Sequence, residues 1–140
     1  MMRYLVLLLF FGTATLSAQS TVTVAVNNIE AAGKGSLTFC LFADKEGFPK
    51  DRSKATYRLE VTDFKDSATA VFEEVASGTY AVTVMQDRDG SGEIETNFIG
   101  MPKEPIGLSN YKKLGRPSFS KAKVEIAPGN QTIQLKLLNQ

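Results

Sequence analysis

Alternation of apolar and polar residues with a period of two constrains this chain more than any other feature. Thr21-Val22-Thr23-Val24-Ala25-Val26 sets Val22, Val24 and Val26 on one face. Ala55 to Val61 does the same, with Tyr57, Leu59 and Val61 inward and Arg58 and Glu60 outward. Thr79 to Met85 turns Tyr80, Val82 and Val84 inward; Ala122 to Ile126 and Thr132 to Leu137 keep the same rhythm. Ala68 to Phe72 is a further short strand, and Leu37 to Ala43 is apolar on both faces, as a central, doubly covered strand must be. Gly, Asn, Asp and Pro mark the breaks, and Glu73 to Gly78 reads as one of these turns. Tyr80, two residues after Gly78, is placed for its hydroxyl to bond nearby backbone at a corner. Seven short strands with a turn signal about every ten residues predict an all-β fold. The expected form is an antiparallel seven-stranded β-sandwich of the Ig-like or transthyretin-like kind, with an incomplete barrel as the alternative.

Residues 86–120 interrupt that rhythm. Structureless loops beyond ~15 residues are uncommon in compact domains. This one carries Phe98, Ile99, Met101, Ile106, Leu108, Tyr111, Leu114 and Phe119, too many apolar anchors for a solvated linker. Pro102, Pro105 and Pro117 stiffen it, and Gly100, Gly107 and Gly115 permit bends. The prediction is one long ordered excursion, folded back between strands five and six.

The first residues speak to compartment. Met1-Met2-Arg3, an apolar run from Tyr4 to Phe11, and the small, polar Gly12 to Ala18 have the three-part layout of a secretory signal peptide. Cleavage after Ala18, with cleavage after Ser17 as the alternative because Leu16 is unusual three residues before the cut, leaves residues 19–140 as a single domain, exported to the periplasm or beyond. The apolar run is far short of the ~20 residues that span a bilayer, so no transmembrane segment is expected after cleavage. The 16 basic residues become 15 without Arg3, against 15 acidic ones. A neutral domain offers no electrostatic reason to bind nucleic acid. Cys40 is the single cysteine, excluding an internal disulfide, and its apolar strand context predicts a buried, inert thiol.

The chemistry concentrates in Asp87-Arg88-Asp89-Gly90-Ser91-Gly92-Glu93-Ile94-Glu95-Thr96-Asn97. Calcium takes six to eight hard oxygen ligands, which alternate residues of a tight turn supply. On the twelve-residue calcium-loop pattern, Asp87, Asp89 and Ser91 take positions one, three and five. Gly92 takes the sixth, Glu93 offers its carbonyl, and Glu95 is ninth; Asn97 follows as a further oxygen donor. Phe98 stands where the bidentate glutamate belongs, so another donor must come across space: Asn97, Glu104 or Asp44. The competing reading is a bare acidic hairpin tip in which the glycines supply turn conformations. Tyr111, Arg116 and Phe119 are weaker candidates for gripping a sugar or peptide. The chain has no histidine, which removes the usual general base, Ser-His triads and histidine-ligated zinc, so an enzyme is not expected.

Gly78-Thr79-Tyr80-Ala81 through Asp87, the Asp89-Gly90 turn, Gly100-Met101-Pro102-Lys103-Glu104, Gly107-Leu108-Ser109-Asn110 and Pro117-Ser118-Phe119 together resemble a family of exported bacterial domains of unknown function, DUF2141. The resemblance covers nearly the whole domain. It implies a sandwich-like exported fold, marks Asp87 to Phe119 as the distinctive region, and carries over no activity. The Gly-Thr-Tyr strand also resembles transthyretin-like and carboxypeptidase-regulatory domains, whose hydrolase branch uses histidines absent here. The expectation is therefore an exported, non-catalytic domain of binding or envelope-assembly type, stabilised by calcium, its partner an envelope protein or a glycan. The alternatives are a metal-free structural module, or a carbohydrate- or peptide-binding module using residues 98–119.

Overall fold

A computed structural model describes residues 12, 18–30, 34–92, 95–98 and 101–138. The predicted leader, apart from Gly12 and Ala18, lies outside them, as do Glu93, Ile94, Ile99 and Gly100. Eight strands are formed: β1 (Gln19–Asn27), β2 (Ser36–Phe42), β3 (Tyr57–Val61), β4 (Ala68–Ala76), β5 (Gly78–Asp87), β6 (Ile106–Leu108), β7 (Lys123–Ile126) and β8 (Gly129–Lys136). One helical turn, α1 (Phe119–Ala122), precedes β7.

The strands make two sheets and no barrel. One has the order β4-β1-β8; the other has β3-β2-β5, with β6 and β7 laid end to end along the far edge of β5. Between the sheets lies the main core. Val22, Val24 and Val26 of β1, Leu37, Phe39 and Leu41 of β2, and Tyr80, Val82 and Val84 of β5 face it, as their alternation predicts. Leu59 is the exception among the predicted inward residues, at 37% exposed, because β3 is an edge strand with one flank open.

Three expectations are corrected. Among the described residues the strands number eight, because Ile106-Gly107-Leu108 inside the excursion pairs with β5; three residues are too few to show a period. The sandwich is not wholly antiparallel, since β8 runs parallel to β1 along its whole length; periodicity reports faces, not direction. Glu73 to Gly78 is not one turn. β4 continues to Ala76, and two adjacent residues, Glu73 and the left-handed Glu74 (φ 56°), sit opposite Thr21 as a β-bulge. Two exposed acids in succession break alternation in a sequence just as a turn does.

The corner beyond the bulge is pinned by two tyrosines. The Tyr80 hydroxyl donates to the Ala76 carbonyl at 2.7 Å, and the Tyr57 hydroxyl accepts the Ala76 N–H at 3.0 Å.

A second apolar cluster covers the opposite face of the five-stranded sheet, which explains why β2 and β5 are apolar on both sides. Cys40, Phe42 and Ala81 meet Ile106, Leu108, Tyr111 and Leu138, with Phe48, Leu114 and Phe119 packed around them. Phe48 stands edge-on between Phe42 (5.5 Å) and Phe119 (5.9 Å). The described residues from Ile106 to Ala122 thus fold back onto this sheet. The anchors of the excursion divide: Ile106, Leu108 and Tyr111 are buried, whereas Phe98 projects fully at 99% exposure. Burial pushes the Cys40 thiol up to about 11, so it stays protonated and unreactive at neutral pH.

Polar groups lock the excursion in place. Buried Ser109 accepts the Val82 N–H at 2.9 Å and donates to the Ala122 carbonyl. Asn110, left-handed at φ 65°, donates its amide to the carbonyls of Lys121 and Lys123. Gly107 passes so near β8 that an added Cβ would stand 3.1 Å from the Lys136 carbonyl oxygen.

Candidate metal centre

Asp87 is the last residue of β5, and its side chain is only 4% exposed. There the chain must turn sharply, and Gly90 and Gly92 take positive φ (73° and 75°) to do so. Both N–H groups turn back onto Asp87: Gly90 donates to Oδ1 at 2.9 Å and Gly92 to Oδ2 at 2.7 Å. The carboxylate closes its own loop. Asp89 repeats the device one step outward, accepting the Ser91 N–H at 2.9 Å. That backbone bond, helped by the Ser91 hydroxyl, holds the Asp89 carboxyl below the usual carboxylate range.

Glu104 arrives from the far end of the segment. Its Oε1 accepts the N–H of Arg88 at 2.8 Å and, more loosely, that of Asp89 at 3.4 Å. Its Oε2 is buried with no hydrogen-bond partner among the described residues. Burial first, with the neighbouring charges of Asp89 and Asp87 adding to it, raises the Glu104 carboxyl above its ordinary value; the Arg88 N–H acts in the opposite direction.

Ligand oxygens from Asp87, Asp89 and Glu104 lie within 4.8 Å of one another. With Ca–O distances of roughly 2.4 Å, any two ligands of one ion are at most about 4.8 Å apart. Three carboxylates so placed suit a hard cation and no soft one. The unpartnered Glu104 Oε2 is the kind of atom that a cation would satisfy.

The predicted residues therefore separate. Asp87 and Asp89 converge, with Ser91 beside them, and Glu104 is the donor brought across space. Glu95 instead sits 3.9 Å from Lys103 in an exposed ion pair. Asn97 accepts the Met101 N–H at 3.0 Å and steadies a small hairpin closed by the Thr96–Pro102 bridge. Asp44 accepts the Glu46 N–H in its own turn. Glu93 lies outside the described residues. In the sequence Glu104 stands only as one of three alternative further donors, beside Asn97 and Asp44, because spacing along the chain does not say which distant carboxylate returns to Asp87.

Tyr111, Arg116 and Phe119 do not gather into a stacking platform. Tyr111 is 7% exposed, with Lys121 Nζ 4.4 Å from its ring centroid. Its hydroxyl accepts the Ser118 N–H at 2.9 Å and donates to the Arg116 carbonyl at 3.3 Å. Phe119 is half-buried against Phe48. The two rings are anchors of the excursion.

One titration follows from the Glu104 environment. A carboxyl raised by folding keeps its proton longer in the native state than in the unfolded chain, so stability falls as pH rises above 4.5. In chelator, the melting temperature is expected to decline through that window, and Glu104→Gln is expected to flatten the decline. An identical pH profile in the variant would contradict this account of Glu104.

Comparison with curated proteins and with solved structures gave no match. Comparison with protein families gave one whose description is "Uncharacterized protein conserved in bacteria (DUF2141)", matched over residues 24–134. That span holds all but the ends of the two sheets, and with them Asp87, Asp89 and Glu104: the chain belongs to the DUF2141 family.

Proposed function

We propose that this protein is an exported, non-catalytic β-sandwich of the Ig-like or transthyretin-like kind, whose long excursion is tied down by a calcium ion and serves binding or envelope assembly. The observation that carries the metal reading is the meeting of Asp87, Asp89 and Glu104, with Glu104 Oε2 buried and unpartnered. Asp87 ends β5 and Glu104 lies just before β6, so an ion between them would close the loop 88–103 and fix where the segment that covers the five-stranded sheet begins. With three carboxylates rather than a full cage, the affinity belongs at the extracellular end, roughly 10⁻⁴–10⁻³ M.

At about 10 mM calcium such a site adds about 1.4–2.7 kcal/mol of stability, or roughly 5–10 °C in melting temperature. Asp89→Asn and Glu104→Gln test this most cleanly, because Asp87 also has a structural task. Each is expected to remove most of the calcium increment. A wild-type melting curve indifferent to calcium and chelator would sink the metal reading. A metal-free structural module then remains, and the closure of the Asp87 loop by its own glycine N–H groups favours that second reading.

A further inference from the structure

We propose that the free edge of β8 is a docking site for an extended, acidic segment of a partner protein, which adds as a fourth strand to the β4-β1-β8 sheet. Among the described residues, β8 is the last strand of that sheet. β6 approaches it but joins it through a single bridge, Ile106–Leu138. The same antiparallel register would next pair Leu108 with Lys136, and no such pair forms. Gly107 still stands against the Lys136 carbonyl, and from Leu108 on the two strands part around a cleft of about 640 Å³. Leu108, Tyr111 and Lys112 line one wall; Gln134, Leu135 and Lys136 line the other.

The direction of the backbone groups follows from two hydrogen bonds. Leu137 N–H donates inward to Asn27 of β1, and Leu138 N–H donates outward to Ile106. Successive residues of a strand point their N–H and C=O to opposite flanks, so Lys136, Gln134 and Thr132 direct theirs outward, away from β1; with Gly107 beside the Lys136 carbonyl, Gln134 and Thr132 are the pair open to a partner. Their spacing is that of a strand awaiting its neighbour, which a peptide backbone matches and a sugar chain does not.

Charge selects the occupant. Exposed Lys112 and Lys136 flank the cleft, and Lys113 lines the adjoining hollow, where Glu30 is the one acid. None of the three lysines is in an ion pair among the described residues. A second copy of this chain is a poor fit, since β8 has one charged residue, Lys136, and no acid to offer these cations. The inference stands apart from the calcium reading, because no residue of the acidic site lines the cleft.

The test uses the purified protein and two fluorescein-labelled peptides of alternating valine, one with glutamate and one with lysine, read by fluorescence anisotropy. The Val/Glu peptide is expected to bind at least about tenfold more tightly at low salt, and to weaken as salt screens the lysines. Lys112→Glu with Lys136→Glu should reverse the preference. Gln134→Pro removes an outward N–H while sparing the bonds to β1, and should abolish binding with the melting temperature nearly unchanged. In the wild-type protein, amide exchange at Gln134 and Lys136 should slow when the Val/Glu peptide is added, which covers the case of a variant that folds poorly. Failure of both peptides to bind, equal binding of the two, or unchanged exchange at Gln134 overturns the proposal. So does a dimer in sedimentation that Gln134→Pro dissolves, or binding of oligogalacturonate in place of the peptide.

Discussion

Gly35→Ala is expected to destabilise the protein by about 2–5 kcal/mol, lowering the melting temperature by roughly 10–20 °C. Gly35 has a φ of 74°, which costs an alanine about 1–2 kcal/mol before any contact is counted. The contact is severe: an added Cβ would lie 1.8 Å from the backbone oxygen of Asp87, 2.8 Å from its carbonyl carbon and 3.0 Å from the Cα of Arg88. All three are backbone atoms, and no rotamer change relieves the overlap. Either β2 or the exit of β5 must shift, where Ser36 pairs with Asp87. Because the same peptide carries Asp87 and Arg88 into the acidic cluster, the variant is also expected to lose the calcium response proposed above. Melting in calcium and in chelator checks both effects. A variant as stable as the wild type would show that the close approach of Gly35 to β5 is not a constraint on the fold.

Asp87→Ala is expected to cost about 2–4 kcal/mol in chelator, with no cation involved. The side chain is buried and accepts the N–H groups of Gly90 and Gly92, so its loss strands two donors and releases a turn whose glycines already have little to hold them. Asp87→Asn keeps one good acceptor and should fall between Ala and wild type. Asp89→Asn, fully exposed and bonded only within its own turn, should be nearly neutral in chelator. The order Asp87→Ala, Asp87→Asn, Asp89→Asn, measured by denaturant melts, separates a structural carboxylate from one whose use is metal binding. Equal losses for all three in calcium and none in chelator would show instead that Asp87 acts only as a ligand.

Several elements were legible before any coordinates. Val22, Val24 and Val26 had one possible face because a strand sends alternate side chains to opposite sides. Leu37 to Phe42, apolar but for Thr38, required cover on both faces, and the other sheet supplies one and the excursion the second. Tyr80 and its bond to the corner backbone followed from its position after Gly78. The misreadings share a cause. The bulge at Glu73 and Glu74, the three residues of β6 and the parallel course of β8 are properties of pairing between segments, and a local period reports only how one segment divides between two faces. Phe98 shows the same limit from the other side: counted as an anchor by its chemistry, it stands 99% exposed, because apolar character alone does not say which residues the fold will cover.

Asp87–Asn97 itself is the sharpest instance. Residue types alone determined that this turn is a place of closely spaced oxygen donors, that a twelfth-position ligand is missing, and that no histidine-based catalysis runs here. They also determined the all-β character of the domain, while the choice of two sheets over an incomplete barrel came from strand pairing. Only the tertiary structure decided which donors meet. It spent Glu95 on Lys103 and Asn97 on Met101, and delivered Glu104 to the backbone of Arg88 from 16 residues away. The reason is physical: neighbours along the chain are set by spacing, whereas the distance between Asp87 and Glu104 is set by how the intervening loop closes and by the apolar face onto which Ile106 and Leu108 must then pack.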